Sequence, residues 1–154
     1  MIPRQALTDI IRPALNELPE IMRSEPAQVL LLAIGLQESR FIYRKQINGP
    51  ARGLWQFEHN GVIGVFNHLN SRDHALKLCG TDNTRTVHRR LERDDILACQ
   101  LARLLLWTDP TPLPAIGQAQ AAWHYYLRGW RPGKPHFHTW VALYNHAVQA
   151  MQAH

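Results

Sequence analysis

The sequence predicts an all-α fold, a single helical domain over residues 1–154 with little or no sheet. Three observations predict it. Apolar residues recur at i, i+3, i+4 spacing over residues 3–23, 25–41, 91–107 and 139–151, which is the period of a half-buried helix. No segment sustains the period-two alternation of a strand. The densest runs of proline and glycine, at 49–53, 110–114 and 129–135, fall between the periodic stretches, as punctuation should. A chain of 154 residues, 45% apolar and 19% charged, has the length and composition of one globular domain rather than of a disordered chain.

The first helical stretch, residues 3–23, carries Ile10, Ile11, Leu15, Leu18, Ile21 and Met22 on one face. Pro13 and Pro19 each remove a backbone donor, so the stretch divides or kinks there. Ser24 reads as an N-cap, with Glu25 and Pro26 in the first turn of the next helix. That helix runs to Glu38 or Phe41 and has Leu30, Leu31, Ile34 and Phe41 on its apolar side. Residues 42–57 read as a loop with a tight turn, in which Gly49 and Gly53 supply backbone freedom.

Residues 59–69 predict a short helix with Val62, Val65, Phe66 and Leu69 inward. Ser71 caps the next helix and Gly80 ends it. Residues 81–90 are polar and lack apolar spacing. A strong core helix follows from Leu91 to Trp107, with Asp94 and Asp95 complementing its dipole. Asp109-Pro110-Thr111-Pro112-Leu113-Pro114 breaks it. Residues 115–128 form a further helix ending at Gly129, and a loop over residues 130–136 leads to a last helix from Thr139 with Trp140, Tyr144, Ala147, Val148 and Met151 on one side.

Composition bounds the function. A net charge of +5 favours polyanions such as nucleic acid, anionic membranes or the acidic polymers of a bacterial wall. The densest basic cluster, Arg85, Arg89, Arg90 and Arg93, has the spacing of a solvated helix face, and no nucleic-acid motif accompanies it. No apolar run is long enough to span a membrane. The N-terminal residues lack the layout of a signal peptide, so synthesis in the cytoplasm is expected, with the wall reached through a lysis pore or inside a virion. Cys79 and Cys99 are expected as reduced, buried thiols. Of the nine histidines only His136 and His138 are close in sequence, and no H-E-x-x-H or C-x-x-C pattern is present, so no metal is expected.

Chemistry concentrates at Glu38. Spacing puts it at the C-terminal end of a buried helix, on the border between the apolar face and solvent. There the charged form of a carboxyl is disfavoured and its pKa rises, as a general acid at neutral pH requires. A bland pairing with the nearby Arg40 is the competing reading.

Gln37-Glu38-Ser39-Arg40-Phe41 resembles the E-S-x-F signature of the soluble lytic transglycosylases and their goose-type-lysozyme-like relatives. Asn48-Gly49-Pro50-Ala51-Arg52-Gly53-Leu54-Trp55-Gln56 resembles the family's S-x-G-A-x-G-L-M-Q segment, with Trp55 in place of Met and Asn48-Gly49-Pro50 where the family has Ser and its first Gly. A later A-Y-N-A-G segment, which in the family brings a Tyr hydroxyl to the catalytic Glu, has two registers here. One places Tyr126 on the Tyr, with Leu127 replacing Asn; the other places Trp123 and His124 on Tyr-Asn. The first is preferred, since a hydroxyl donates well to a carboxylate. The resemblance spans roughly residues 29–131. Residues 131–136, with Thr139 and Trp140, resemble phage-encoded members.

The resemblance implies a lysozyme-like domain that cleaves the β-1,4 bond between N-acetylmuramic acid and N-acetylglucosamine in bacterial peptidoglycan. Glu38 is implied as general acid and then base, giving a 1,6-anhydro end without metal or organic cofactor. Ser39 and Gln56 are implied to hold or orient; Gly53, Leu54, Trp55 and Tyr126 to line the groove, Trp55 as a pocket wall for a sugar ring. The partner is the glycan strand, and the protein is expected as a monomer. Two alternatives stand beside this reading. One is a muramidase with a second carboxylate, Glu58 first and Asp73 or Asp82 behind it. The other is a binding or virion protein that keeps the fold without the chemistry.

Overall fold

The computed structural model describes residues 1–153. Its elements, in chain order, are α1 (Pro3–Ala6), a π-helical segment (Leu7–Ile11), α2 (Arg12–Asn16), a 3₁₀ turn (Glu20–Met22), α3 (Glu25–Ser39), α4 (His59–Asn67), α5 (Arg72–Cys79), α6 (Thr84–Arg90), α7 (Asp95–Trp107), α8 (Ala119–Trp130) and α9 (Phe137–Gln152). The fold is all-α: among the described residues extended pairing is limited to two isolated bridges, Lys45 with Arg52 and Arg52 with Phe57.

The core is built on α3. Every residue from Val29 to Leu36 is buried, so α3 is apolar on all sides and not only on the face that its spacing marked. Its N-terminus is held by Ser24, whose Oγ accepts from the Ala27 N–H at 3.3 Å. Helix α9 packs along α3, and α7 crosses both α3 and α2. Helix α7 is the second buried rod, from Leu97 to Leu106. Asp94 caps it, accepting from the Leu97 N–H at 3.0 Å.

Several elements differ from what the spacing predicts. The first stretch is one helical run, α1 to α2, opened into a π turn over Leu7–Ile11. The Arg12 N–H bonds to Leu7 O, five residues back. Pro13 explains it: a proline has no N–H for the carbonyl four residues back and its ring crowds that carbonyl, and a wider turn relieves both. Residues 84–90, which lack an apolar face, form α6. Asn83 caps it by accepting from the Thr86 N–H at 3.0 Å, and its C-terminal turn carries His88, Arg89 and Arg90. Cap and dipole support outweigh the missing pattern.

Ser71 begins α5 without capping it; its Oγ donates instead to Val65 O at 2.6 Å, tying α4 to α5. Leu69, expected inward, is 77% exposed because α4 ends at Asn67. Helix α7 starts at Asp95 rather than Leu91, and α8 starts at Ala119 rather than 115. Gly129 lies inside α8, whose left-handed cap is Arg131 at φ 47°. Cys79 and Cys99 are free and buried; burial raises the pKa of both thiols, leaving them protonated. No helix among the described residues is long and apolar enough to cross a membrane.

Candidate active site

Helix α3 ends at Ser39, and the chain leaves it through two consecutive left-handed residues, Arg40 and Phe41, both at φ 56°. This exit is a non-glycine conformation that needs support. Ser39 gives much of it. Its buried Oγ accepts from the Phe41 N–H at 3.0 Å and donates toward Leu54 O at 2.6 Å and Gly35 O at 3.2 Å. A hydroxyl has a single proton, so the shorter contact to Leu54 O takes it. Gly35 makes room: a Cβ there would lie 2.2 Å from the Phe41 ring. Arg40 turns its guanidinium back onto Leu36 O and Gln37 O, at 2.5 and 2.8 Å, where a cation satisfies the last carbonyls of the helix. It makes no ion pair with Glu38.

The loop over residues 42–58 is folded rather than open. Gln46 N–H donates to Ala51 O, and Arg52 and Phe57 exchange backbone bonds, all at 2.9 Å. Arg44 grips Asp95 through two bonds of 3.0 and 2.8 Å, fixing the loop to the start of α7. Gly53 sits at φ 81°, where an added Cβ would lie 2.7 Å from Leu91 O, so glycine is required both by conformation and by contact. Gln56, at φ 50°, closes the turn by donating its Nε2 to Gly53 O at 2.9 Å. His88 places Nε2 2.7 Å from Phe57 O.

Glu38 stands at the end of α3 with its carboxylate bonded by the hydroxyl of Tyr126 on α8. Burial pushes its pKa from the usual 4.5 up to about 7. The Tyr126 bond lowers it, the charge of Glu58 raises it, and the charge of Arg40 lowers it, in that order of size after desolvation. The Tyr126 hydroxyl, buried beside an acid, is pushed up and stays protonated as a donor.

Tyr126 is itself held in an aromatic stack. Its ring lies parallel to Trp140 on α9, with 5.3 Å between centroids and 9° between planes, and Trp123 and Trp130 flank it at 5.5 and 6.1 Å. Such pairs add about 1 kcal/mol each beyond burial, enough to fix a ring whose hydroxyl must point one way. Gln37 locks α3 to α9, donating to His136 O at 3.1 Å and accepting from the Thr139 hydroxyl at 3.0 Å.

No family model, curated protein or solved structure matches the chain.

The structure divides the residues singled out in the sequence. Glu38 and Tyr126 come together, while Trp123 packs in the aromatic cluster and His124 is exposed. Ser39, Gly53 and Leu54 are buried supports of the turn and present nothing to a ligand. Trp55 corrects the expectation of a pocket wall. It is fully buried, its Nε1 donates to Leu31 O at 2.9 Å, and its ring meets Phe41 edge-on at 5.5 Å. An indole inserted under α3 cannot stack on a sugar.

Gln56 is half-buried at the surface of the turn, and Glu58 is exposed at the N-cap of α4. Asp73 lies exposed on α5, with a 3.9 Å contact to its neighbour Arg72 as its one ion pair among the described residues. Asp82 is exposed just before α6. His136 and His138 lie ring to ring at 5.5 Å, and no group of three His, Cys, Asp or Glu side chains gathers among the described residues.

Spacing placed Trp140 on the inner side of the last helix, as found, but gave no sign that it stacks on Tyr126, and it left Trp130 in a loop although Trp130 ends α8. Trp130 donates its Nε1 to Trp55 O at 2.9 Å and tilts against Phe57, joining α8 to the turn beneath Glu38. Clusters of Trp and Tyr in two consecutive helices were the available signal.

Proposed function

We propose that the protein is a peptidoglycan-cleaving lytic transglycosylase with Glu38 as its single catalytic carboxyl. The observation that carries the reading is the bond from the Tyr126 hydroxyl to a half-buried Glu38 whose pKa is raised to about 7. The residues that resemble the family's Glu and Tyr lie 88 positions apart in sequence and meet in space.

The proton inventory follows. With a pKa raised to about 7, Glu38 has both its protonated and its ionised form within reach at neutral pH. The protonated acid gives its proton to the glycosidic oxygen as the bond to the muramic C1 breaks. The resulting Glu38 carboxylate then takes the proton of the sugar's 6-hydroxyl as that oxygen bonds to C1, closing the 1,6-anhydro ring. The acid is regenerated and no water is consumed. The substrate's N-acetyl group stabilises the cation-like centre between the two steps. Tyr126 holds the carboxylate between its roles, and no metal or second carboxylate is used.

Glu38 lies outside the surface clefts at α6 and at the α7–α8 turn. The bacterial cell wall is the proposed site of action, and the net charge of +5 favours it through the wall's acidic polymers.

The test is digestion of purified peptidoglycan by wild type and Glu38→Gln, with products read by mass spectrometry. The expected result is 1,6-anhydro ends that vanish in the variant. Reducing ends that depend on Glu38 would replace this reading with a muramidase using Glu58. No Glu38-dependent product, from a folded protein on several wall types, would leave a binding protein.

A further inference from the structure

Among the described residues Arg103 is the one buried charged side chain: it lies on α7, is 2% exposed, and has no carboxylate within ion-pair distance. Its Nε donates to Met22 O at 2.8 Å. Its guanidinium carbon stands 5.5 Å from the Trp107 ring centroid, a cation–π contact that compensates in part. Neither terminal nitrogen bonds to another described residue, yet no side-chain nitrogen or oxygen is sealed in without a partner. The terminal N–H groups therefore reach open space. That space is a cleft of ≈ 310 Å³ at the turn between α7 and α8, lined by Arg103, Trp107, Asp109, Thr111, Leu113 and Tyr125 among others.

A buried cation without a counter-charge is strongly disfavoured, and proteins seldom retain one unless something pairs with it. Burial lowers the pKa of Arg103 to about 10, which still leaves it charged at neutral pH. Asp109 does not supply the missing charge. Its carboxylate is spent on Arg128 at 2.7 Å and on the hydroxyl and N–H of Thr111 at 2.7 and 3.0 Å. Tyr125 is likewise engaged, its single hydroxyl proton shared between Leu106 O and Thr111 O, at 3.1 and 3.0 Å. The cleft thus presents one free arginine fork at its base and apolar walls from Trp107, Leu113 and the Pro110–Pro112 turn.

We propose that this cleft is a binding site for a small monocarboxylate with an apolar body, its carboxylate on Arg103 and its body against Trp107 and Leu113. A planar carboxylate matches the guanidinium fork. A phosphate dianion fits worse, because the cleft offers one unpaired cation and places the Asp109 carboxylate beside it. The site is separate from Glu38. Tyr125 and Tyr126 are neighbours on α8, and their hydroxyls serve the two sites on different sides of that helix.

The test is a titration of the full chain with benzoate and, separately, with acetate and inorganic phosphate, following the Trp indole N–H and Arg Nε–H resonances by NMR together with thermal unfolding. Benzoate is expected to shift the Trp107 and Arg103 signals saturably and to raise Tm, with acetate weaker and phosphate without effect. Arg103→Met, of similar volume, is expected to lose the response. Leu113→Trp, which fills the mouth and leaves the charge in place, is expected to lose it also, and it keeps the proposal testable should the first variant not fold. No saturable shift with any of the three anions, or an equal benzoate response in both variants, overturns the site. A phosphate response that exceeds benzoate overturns the carboxylate assignment.

Discussion

The Tyr126 hydroxyl donates to the Glu38 carboxylate, joining the end of α3 to α8 at a point where Tyr126 is buried and Glu38 half-buried. The bond opposes the effect of burial. Desolvation alone makes Glu38 a poor carboxylate; the hydroxyl recovers part of the loss, and the balance settles near 7. Each of the following outcomes depends on that balance or on the turn that supports it.

Glu38→Gln is expected to abolish wall cleavage and to stabilise the fold at alkaline pH. The folded pKa, about 7, lies above the usual 4.5. Between those values the folded state binds more protons than the unfolded one, so stability falls as pH rises from 4.5 to 7 and levels off above. Glutamine has no charge to bury and escapes this loss. Urea unfolding at pH 8 is expected to favour the variant by at most about 3 kcal/mol, with little difference at pH 4. Equal stability of the two proteins at pH 8 would show that Glu38 is solvated.

Tyr126→Phe removes a bond that lowers the Glu38 pKa. The alkaline limb of the pH–rate profile, set near 7 in wild type, is expected to move upward. The maximal rate is expected to fall about 10- to 100-fold, since the carboxylate loses its partner in the second step. A rate loss without a displaced limb would mean that the ring, and not its hydroxyl, matters.

Ser39→Ala tests a residue whose place in the signature suggests substrate contact but whose side chain is buried. Its hydroxyl joins the Phe41 N–H to Leu54 O. Removing it leaves both without that partner, at a cost of about 1–3 kcal/mol in unfolding free energy. Denaturant unfolding should show the loss, while KM for soluble glycan fragments stays unchanged in the protein that remains folded.

Which parts were legible in the sequence follows from where the information lies. Helices α3 and α7 announce themselves because buried rods need runs of leucine, and Ser24 marks the start of α3 by capping; Asp94 reads equally well as a first-turn acid, which is why spacing starts α7 at Leu91 and not at Asp95. Helix α6 was illegible because it is supported by the Asn83 cap and its basic C-terminal turn rather than by an apolar face. Glu38 was legible from its position at the end of a buried helix. The role of Trp55 was not, because an aromatic beside a glycine turn fits a groove wall and a buried wedge equally well. The deciding contact, Nε1 to Leu31 O, spans 24 residues and leaves no local pattern. Arg103 resembles any helix-face arginine until the neighbouring helices close over it.

Glu58→Gln separates the one-carboxyl mechanism from a two-carboxyl hydrolysis. Glu58 is exposed at the N-cap of α4, and its side chain makes no capping bond. Its charge nonetheless helps to raise the Glu38 pKa. If Glu38 works alone, removing that charge eases its ionisation. The alkaline limb should then move slightly downward, with the maximal rate changed less than about threefold and the anhydro product retained, consistent with a small electrostatic perturbation. If Glu58 held the attacking water, the same substitution would instead remove a general base, whose contribution is typically about 100-fold or more. The rate and the direction of the limb are read from one pH series, so a downward shift at near-wild-type rate and a collapse of rate cannot be mistaken for each other.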